Sequence, residues 1–203
     1  MVSMFHDGSR SLQDRFDTRR LADRIDGVLV HDTILPDDAA FIAARDMFFL
    51  ATADELGRPT VSYKGGAPGF VHVLNEETLA FPSYNGNGMY LSAGNVLRNG
   101  AVGMLFIDFE KGHRLRLNGD ASIDLGDPLL DRWPEAQFVV RVTPREIFPN
   151  CPRYIHRMQP SERSVFVPQE GCRTPVPNWK RSDWARDVLA ADDPARDPGA
   201  TVV

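Results

Sequence analysis

At 203 residues, with 42% hydrophobic, 25% charged and 9% aromatic side chains, the chain has the composition of one soluble globular unit large enough to bury a core. Its 23 Lys and Arg against 28 Asp and Glu leave a formal charge of −5, so no global field draws it to nucleic acid or to an anionic membrane. No apolar run reaches the ~18 residues of a membrane helix, and Arg10, Arg15, Arg19, Arg20 and Arg24 stand where a signal peptide needs an apolar stretch; a cytoplasmic protein is expected.

In chain order, Leu12, Phe16, Leu21 and Ile25 recur at intervals of four or five and predict one helix over 11–25. Pro36, Asp37 and Asp38 form a start signal for a short helix over 39–45. From Met47 the grammar becomes short apolar runs between turn residues, the pattern of antiparallel strands. Seven are predicted, over 47–53, 60–64, 70–74, 78–82, 101–109, 114–125 and 137–148. The short links at 54–58, 75–77 and 110–113 make hairpins, because a parallel crossover needs a dozen or more residues. Between strands four and five, the Gly- and Asn-rich stretch 83–100 is predicted as a loop followed by a helix over 90–98. A sheet of this size curls to bury its edges, so the fold class is mainly β, an antiparallel barrel with flanking helices. Residues 1–159 form this domain. Residues 160–203, which hold six of the 15 prolines, are an extended arm with one helix over 182–191 and a frayed end, not an independent domain.

Several standard sites are missing from the letters. Gly86-Asn87-Gly88 opens a dinucleotide fingerprint, but Leu91 stands where the third glycine belongs. Ser92 has Tyr90 where a nucleophile elbow needs glycine. The five histidines never pair at i, i+4, and Cys151 and Cys172 are 21 positions apart, so neither a helical metal site nor a C-x-x-C motif is present.

The informative stretch is Gly57 to Gly66. Strand alternation puts Thr60, Ser62 and Lys64 on one face and Val61 and Tyr63 on the other. Two hydroxyls and an ammonium suit a phosphate dianion, although a solvated strand face fits the same letters. A second alternation sets Arg114, Arg116 and Asn118 opposite Leu115 and Leu117, either an anion clamp or a wet outer face. Ser92 stands near an expected helix start, where free N–H groups favour an anion. Three segments thus offer donors for one phosphate. Phe48, Phe49, Phe106, Ile107 and Phe109 are either core or surplus apolar surface for a second copy.

With Phe48 to Asp54, Gly57 to Val71, Phe81 to Met89, Ser92 to Asn95 and Leu105 to Phe109 in this order, and with Leu12 to Asp23 and Phe148 to His156 flanking them, the chain resembles the pyridoxamine 5′-phosphate oxidase-related proteins of unassigned function. The resemblance implies an FMN-binding split β-barrel that works as a homodimer, with each flavin at the subunit interface and a small molecule as substrate. It implies that Arg58, Pro59, Thr60, Val61, Ser62, Tyr63 and Lys64 run along the flavin, with Asn87, Ser92, Asn95, Arg114 and Arg153 as further contacts. Ser92 falls where the oxidase has a phosphate-binding lysine and Arg114 where it has a glutamine, and the oxidase's substrate-gripping residues have no counterparts here. The expected function is an FMN-dependent oxidoreductase on an unidentified small molecule, with no catalytic residue assigned. The alternatives are a flavin-binding or storage module without turnover, or a split barrel for deazaflavin F420 or for haem, with His72 or His156 as axial ligand.

Overall fold

The structure, a computed structural model, describes residues 3–160 and 162–203. Two helices, α1 (Asp7–Arg15) and α2 (Arg19–Leu29), replace the single helix expected over 11–25. The chain breaks between them at Asp17, whose φ of 51° is left-handed, a conformation that Asp tolerates better than most residues. Neither helix contains a buried residue, and Leu12, Phe16 and Leu21 are all exposed. The apolar spacing there marks no core stripe. The short helix expected over 39–45 is present as α3 (Pro36–Ala43). Pro36 stands at its start, and the Asp38 carboxylate accepts from the Leu35 N–H at 3.0 Å, satisfying a donor that the first turn leaves free.

All seven strands form: β1 (Met47–Ala53), β2 (Pro59–Gly65), β3 (His72–Asn75), β4 (Thr78–Tyr84), β5 (Ala101–Asp108), β6 (His113–Asp124) and β7 (Ala136–Pro149). They make one antiparallel sheet in the order β2-β1-β5-β6-β7-β4-β3. The fold is mainly β, a split barrel. The sheet curls until strands near its two ends meet inside: Phe48 of β1 packs edge-on against Phe81 of β4 at 5.0 Å, and lies tilted against Phe106 of the neighbouring β5 at 5.2 Å. Closure is incomplete, however. Among the described residues no ladder joins β2 to β3, so both remain edges. Part of the gap is filled by α4 (Leu91–Arg98), which sends Val96 into the same core cluster.

Register fixes which side chains share a face. Lys64 pairs with Phe48, and Phe106 with Leu115; Phe48, Phe106 and Leu115 are all core residues. The alternate row holds Tyr63 opposite Phe49, Phe49 opposite Leu105 and Leu105 opposite Arg116, and it faces outward. The five apolar residues singled out in the sequence therefore divide. Phe48 and Phe106 are fully buried core, while Phe49, Ile107 and Phe109 remain partly exposed.

The C-terminal arm departs from expectation. Residues 182–191 form turns rather than a helix, and the helical pieces are short 3-10 turns at Asn178–Arg181 and Pro194–Arg196. The Arg181 guanidinium donates to the carbonyls of Asp197 at 2.6 Å and of Ala195 and Ala200 at 3.3 Å, gathering the segment around itself. Val176, Ala195 and Ala200 make a small separate core. The terminus is pinned, not frayed: Asn178 N–H donates to the Val203 carbonyl at 2.8 Å. No helix among the described residues is long and apolar enough to cross a membrane.

Candidate functional site

The inward face of β2 is the origin of the site. Along the strand, Thr60, Ser62 and Lys64 are half-buried while Val61 and Tyr63 stand in solvent, as the period of two requires. Because β2 is an edge, this face looks into the gap where the barrel stays open, and α4 starts on the far side. Ser62 Oγ lies 3.0 Å from Ser92 Oγ, which ties strand to helix through two hydroxyls. Tyr90, just before α4, has a φ of 48° and offers no side-chain cap. The first N–H groups of the helix are left without protein acceptors among the described residues, and such groups attract anions.

Beside this pair is a cavity of about 220 Å³. Lys64, Ser83, Tyr84 and Ser92 supply its polar wall, and Leu50, Phe70, Phe81 and Phe138 its apolar floor. Lys64 has no ion-pair or hydrogen-bond partner among the described residues, and burial pulls its pKa below the usual lysine value. A desolvated ammonium without a counter-charge favours an anionic occupant. Burial also pushes the Tyr84 phenol up to about 12, so it stays protonated and can donate.

Not all residues expected at one site meet. Arg114 and Arg116 project from the outward face, because Leu115 between them is core; two segments, not three, serve the cavity within this chain. Arg114 donates to the Cys151 carbonyl at 2.9 Å, and Arg153 Nε donates to Cys151 Sγ at 3.1 Å, so these two arginines gather at the end of β7. Arg58 and Pro59 sit at the β1–β2 hairpin, where Arg58 pairs with Asp54 at 2.6 Å. Asn95 donates to Thr52 Oγ1 at 3.0 Å and anchors α4 on β1. Asn87 Oδ1 accepts from Met89 N–H at 3.1 Å, and the residue lines a different cavity.

Two cavity residues escaped the sequence reading, Ser83 and Tyr84. Ser83 lies two positions beyond Phe81 and shares its face, a signal that was available once β4 ran past Pro82. His72 packs on Trp133 with ring centroids 4.5 Å apart and the rings tilted; it does not line the cavity, and its Nδ1 is buried without a partner among the described residues. No metal-binding cluster of His, Cys, Asp and Glu occurs among the described residues.

No curated protein matches the chain. Solved structures similar to it include a putative pyridoxamine 5′-phosphate oxidase from Lactobacillus delbrueckii, with 21% identity over 58% of this chain and 95% of that one and a TM-score of 0.48. HutZ, a heme storage protein from Vibrio cholerae, gives 22% identity, 57% and 93% coverage and a TM-score of 0.43. An FMN-binding protein from Syntrophomonas wolfei gives 13%, 70% and 97%, and 0.45. The sequence profile described as pyridoxamine 5′-phosphate oxidase matches residues 35–151, more than half the chain and all seven strands, and the chain belongs to that family.

Proposed function

We propose that the chain binds FMN, with the phosphate held by Lys64, Ser62, Ser92 and the start of α4, and acts in a homodimer as a flavin-dependent oxidoreductase on a small molecule. The observation that carries this is Lys64, a half-buried ammonium without a carboxylate, next to two hydroxyls 3.0 Å apart. This donor set fits a phosphate: charge from the lysine and hydrogen bonds from the hydroxyls and helix N–H groups. The cavity, about 220 Å³, is below the ~300 Å³ at which small-molecule sites begin. It suits the phosphate end of the flavin, leaving the ring to lie beyond it along β2.

A second copy would complete the site. The outward face carries Val61 at 65% and Tyr63 at 63% exposure, next to the partly exposed Phe49, Leu105 and Ile107, and apolar surface of this kind favours association. Arg114 and Arg116 stand on this same face, so they would serve the partner's flavin rather than their own chain's. Bound FMN supplies hydride chemistry at its ring. The chain's own residues bind the phosphate, orient the flavin along an edge strand and place positive charge where the reduced ring needs it.

The test is the absorbance spectrum of the purified protein, followed by heat release and mass identification of any chromophore. Released FMN near one per chain supports the proposal. A Soret band or a released deazaflavin overturns it in favour of haem or F420, and colourless protein that ignores added FMN removes flavin chemistry altogether.

A further inference from the structure

The arm builds a second cavity, of about 310 Å³, between the loop after β4 and its own proline-rich turns. The volume is at the low end of the small-molecule range, ~300–1,000 Å³. Tyr84 is the one lining residue it shares with the first cavity, so the two are separate compartments. Phe166, Trp179, Pro175 and Pro177 supply flat apolar walls. Phe166 is 41% exposed and Trp179 38%, so both leave apolar surface in water that an occupant would cover.

The charges of the wall and their partners leave one negative charge over. The buried Lys180 ammonium donates to Asp193 Oδ2 at 2.7 Å, and Arg173 pairs with Asp197, so each of these cations already has a carboxylate. Glu135 also lines the cavity, and its carboxylate has no ion-pair partner among the described residues. It is nevertheless held in place. Glu135 Oε1 accepts from Thr174 N–H at 3.0 Å, which ties the residue before β7 to the arm. Because Glu135 is exposed as well as lining, its carboxylate stands at the mouth of the cavity. A cation that meets it there keeps part of its water and escapes the desolvation penalty of a buried ion pair.

We propose that this cavity binds an organic cation with a flat apolar body, the body lying between Trp179 and the prolines and the charged head at the mouth beside Glu135. Long cationic side chains behave in the same way, laying an apolar stem on apolar surface while the head stays wet. An anion would meet a carboxylate without a partner and cations that already have theirs. A neutral molecule of the same shape would bind by its body alone. The site goes beyond the flavin function proposed above and does not depend on it.

The experiment titrates the full-length protein calorimetrically with three probes that share a naphthalene body: 1-naphthylmethylamine, a cation at neutral pH, the neutral 1-naphthalenemethanol and the anionic 1-naphthoate. Saturable binding is expected in the order cation, alcohol, anion, with the gap between cation and alcohol narrowing as salt is added. Glu135→Gln keeps an oxygen that can accept from Thr174 N–H and removes only the charge. It should weaken the cation about threefold, the range of an exposed ion pair, and leave the alcohol unchanged. Trp179→Ala removes an apolar wall and should weaken cation and alcohol alike, by about tenfold. Lys64→Ala should leave all three probes unchanged. Absence of saturable binding of the cation overturns the site. So does alcohol or anion binding as tightly as the cation, unchanged cation affinity in Glu135→Gln, or unchanged affinity in Trp179→Ala. Should either variant fail to fold, the ranking of the three probes on the wild-type protein decides. Protein that binds the cation and no FMN keeps this site and loses the flavin proposal; protein that binds FMN alone does the reverse.

Discussion

The hydroxyl oxygens of Ser62 and Ser92 lie 3.0 Å apart, one at the centre of an edge strand and the other in the first turn of a helix. Between two such hydroxyls only one proton is needed for their mutual bond, which leaves the second free for an anion. With Lys64 two residues along the strand, the arrangement makes a small cradle whose charge comes from one residue.

Lys64→Ala should therefore raise the dissociation constant for FMN about 10- to 100-fold, since a hydrogen bond to a charged group is worth ~1.5–3 kcal/mol. Ser92→Ala should cost about tenfold or less, and Lys64→Arg should retain most of the affinity. Flavin fluorescence quenching on titration reads all three. Wild-type affinity in Lys64→Ala would remove the phosphate assignment.

The same lysine sets a pH dependence. Burial lowers its pKa from the ordinary 10.5, so in the absence of ligand it loses its proton at lower pH than an unfolded lysine. FMN affinity should fall as pH rises through that lowered pKa toward 10.5. The unfolded chain binds more protons in this window, so Lys64's contribution to folding stability runs the other way and improves with rising pH. Titrations of affinity and of melting temperature over the alkaline range should slope in opposite directions, and Lys64→Met should flatten both.

Val61→Glu probes the outward face. Val61 is 65% exposed, so the protomer should lose at most about 0.5 kcal/mol, while a dimer formed through this face should dissociate. Light scattering after gel filtration should show monomer, with flavin binding weakened alongside. A dimer that survives Val61→Glu and Tyr63→Glu must use another face.

Away from the site, Asp127 is buried and accepts from Arg141 Nη2 at 2.9 Å and from Leu129 N–H at 2.8 Å. The Arg141 hydrogen bond holds its carboxyl below the usual value of 3.8. The stability it contributes is present above pH 3.8 and is lost as pH falls through the lowered pKa. Asp127→Asn should destabilise by about 2 kcal/mol, seen as a melting temperature about 5 °C lower near neutral pH. The difference should shrink in acid.

The strands were legible because half-buried strands advertise a period of two, and the hairpins because their links are short. What stayed hidden depends on contacts between distant parts of the chain. The left-handed break at Asp17 carries no glycine or proline to announce it. Arg114 was assigned to the same anion as Lys64, yet the register through Phe48 and Phe106 puts the two on opposite faces. Counting along one strand cannot reveal that. Tyr84 was missed because Pro82 was taken for the end of β4. β3 last pairs at Ala80, while β7 keeps pairing through Pro82 opposite Val139 to Tyr84 opposite Ala136, so Pro82 sits where the strand has a neighbour on one side only, a place that tolerates proline. The arm was expected to be extended because prolines break helices; that they would instead line a cavity required knowing what Lys180 and Arg181 hold.

The strand that bears Ser62 and Lys64 has a neighbour on one side only. Its backbone ladder is single, so opening it does not require the rest of the sheet to yield, and local opening belongs at the inexpensive end of the protein's motions. An occupant that clamps β2 to α4 would add its binding free energy to that opening, since the open strand cannot hold it. The amides of 60–65 should accordingly exchange fast in ligand-free protein and slow by far the most on saturation, while those of β6, paired on both sides, barely respond. The same hairpin that admits the ligand is thus the part of the molecule whose order depends on it.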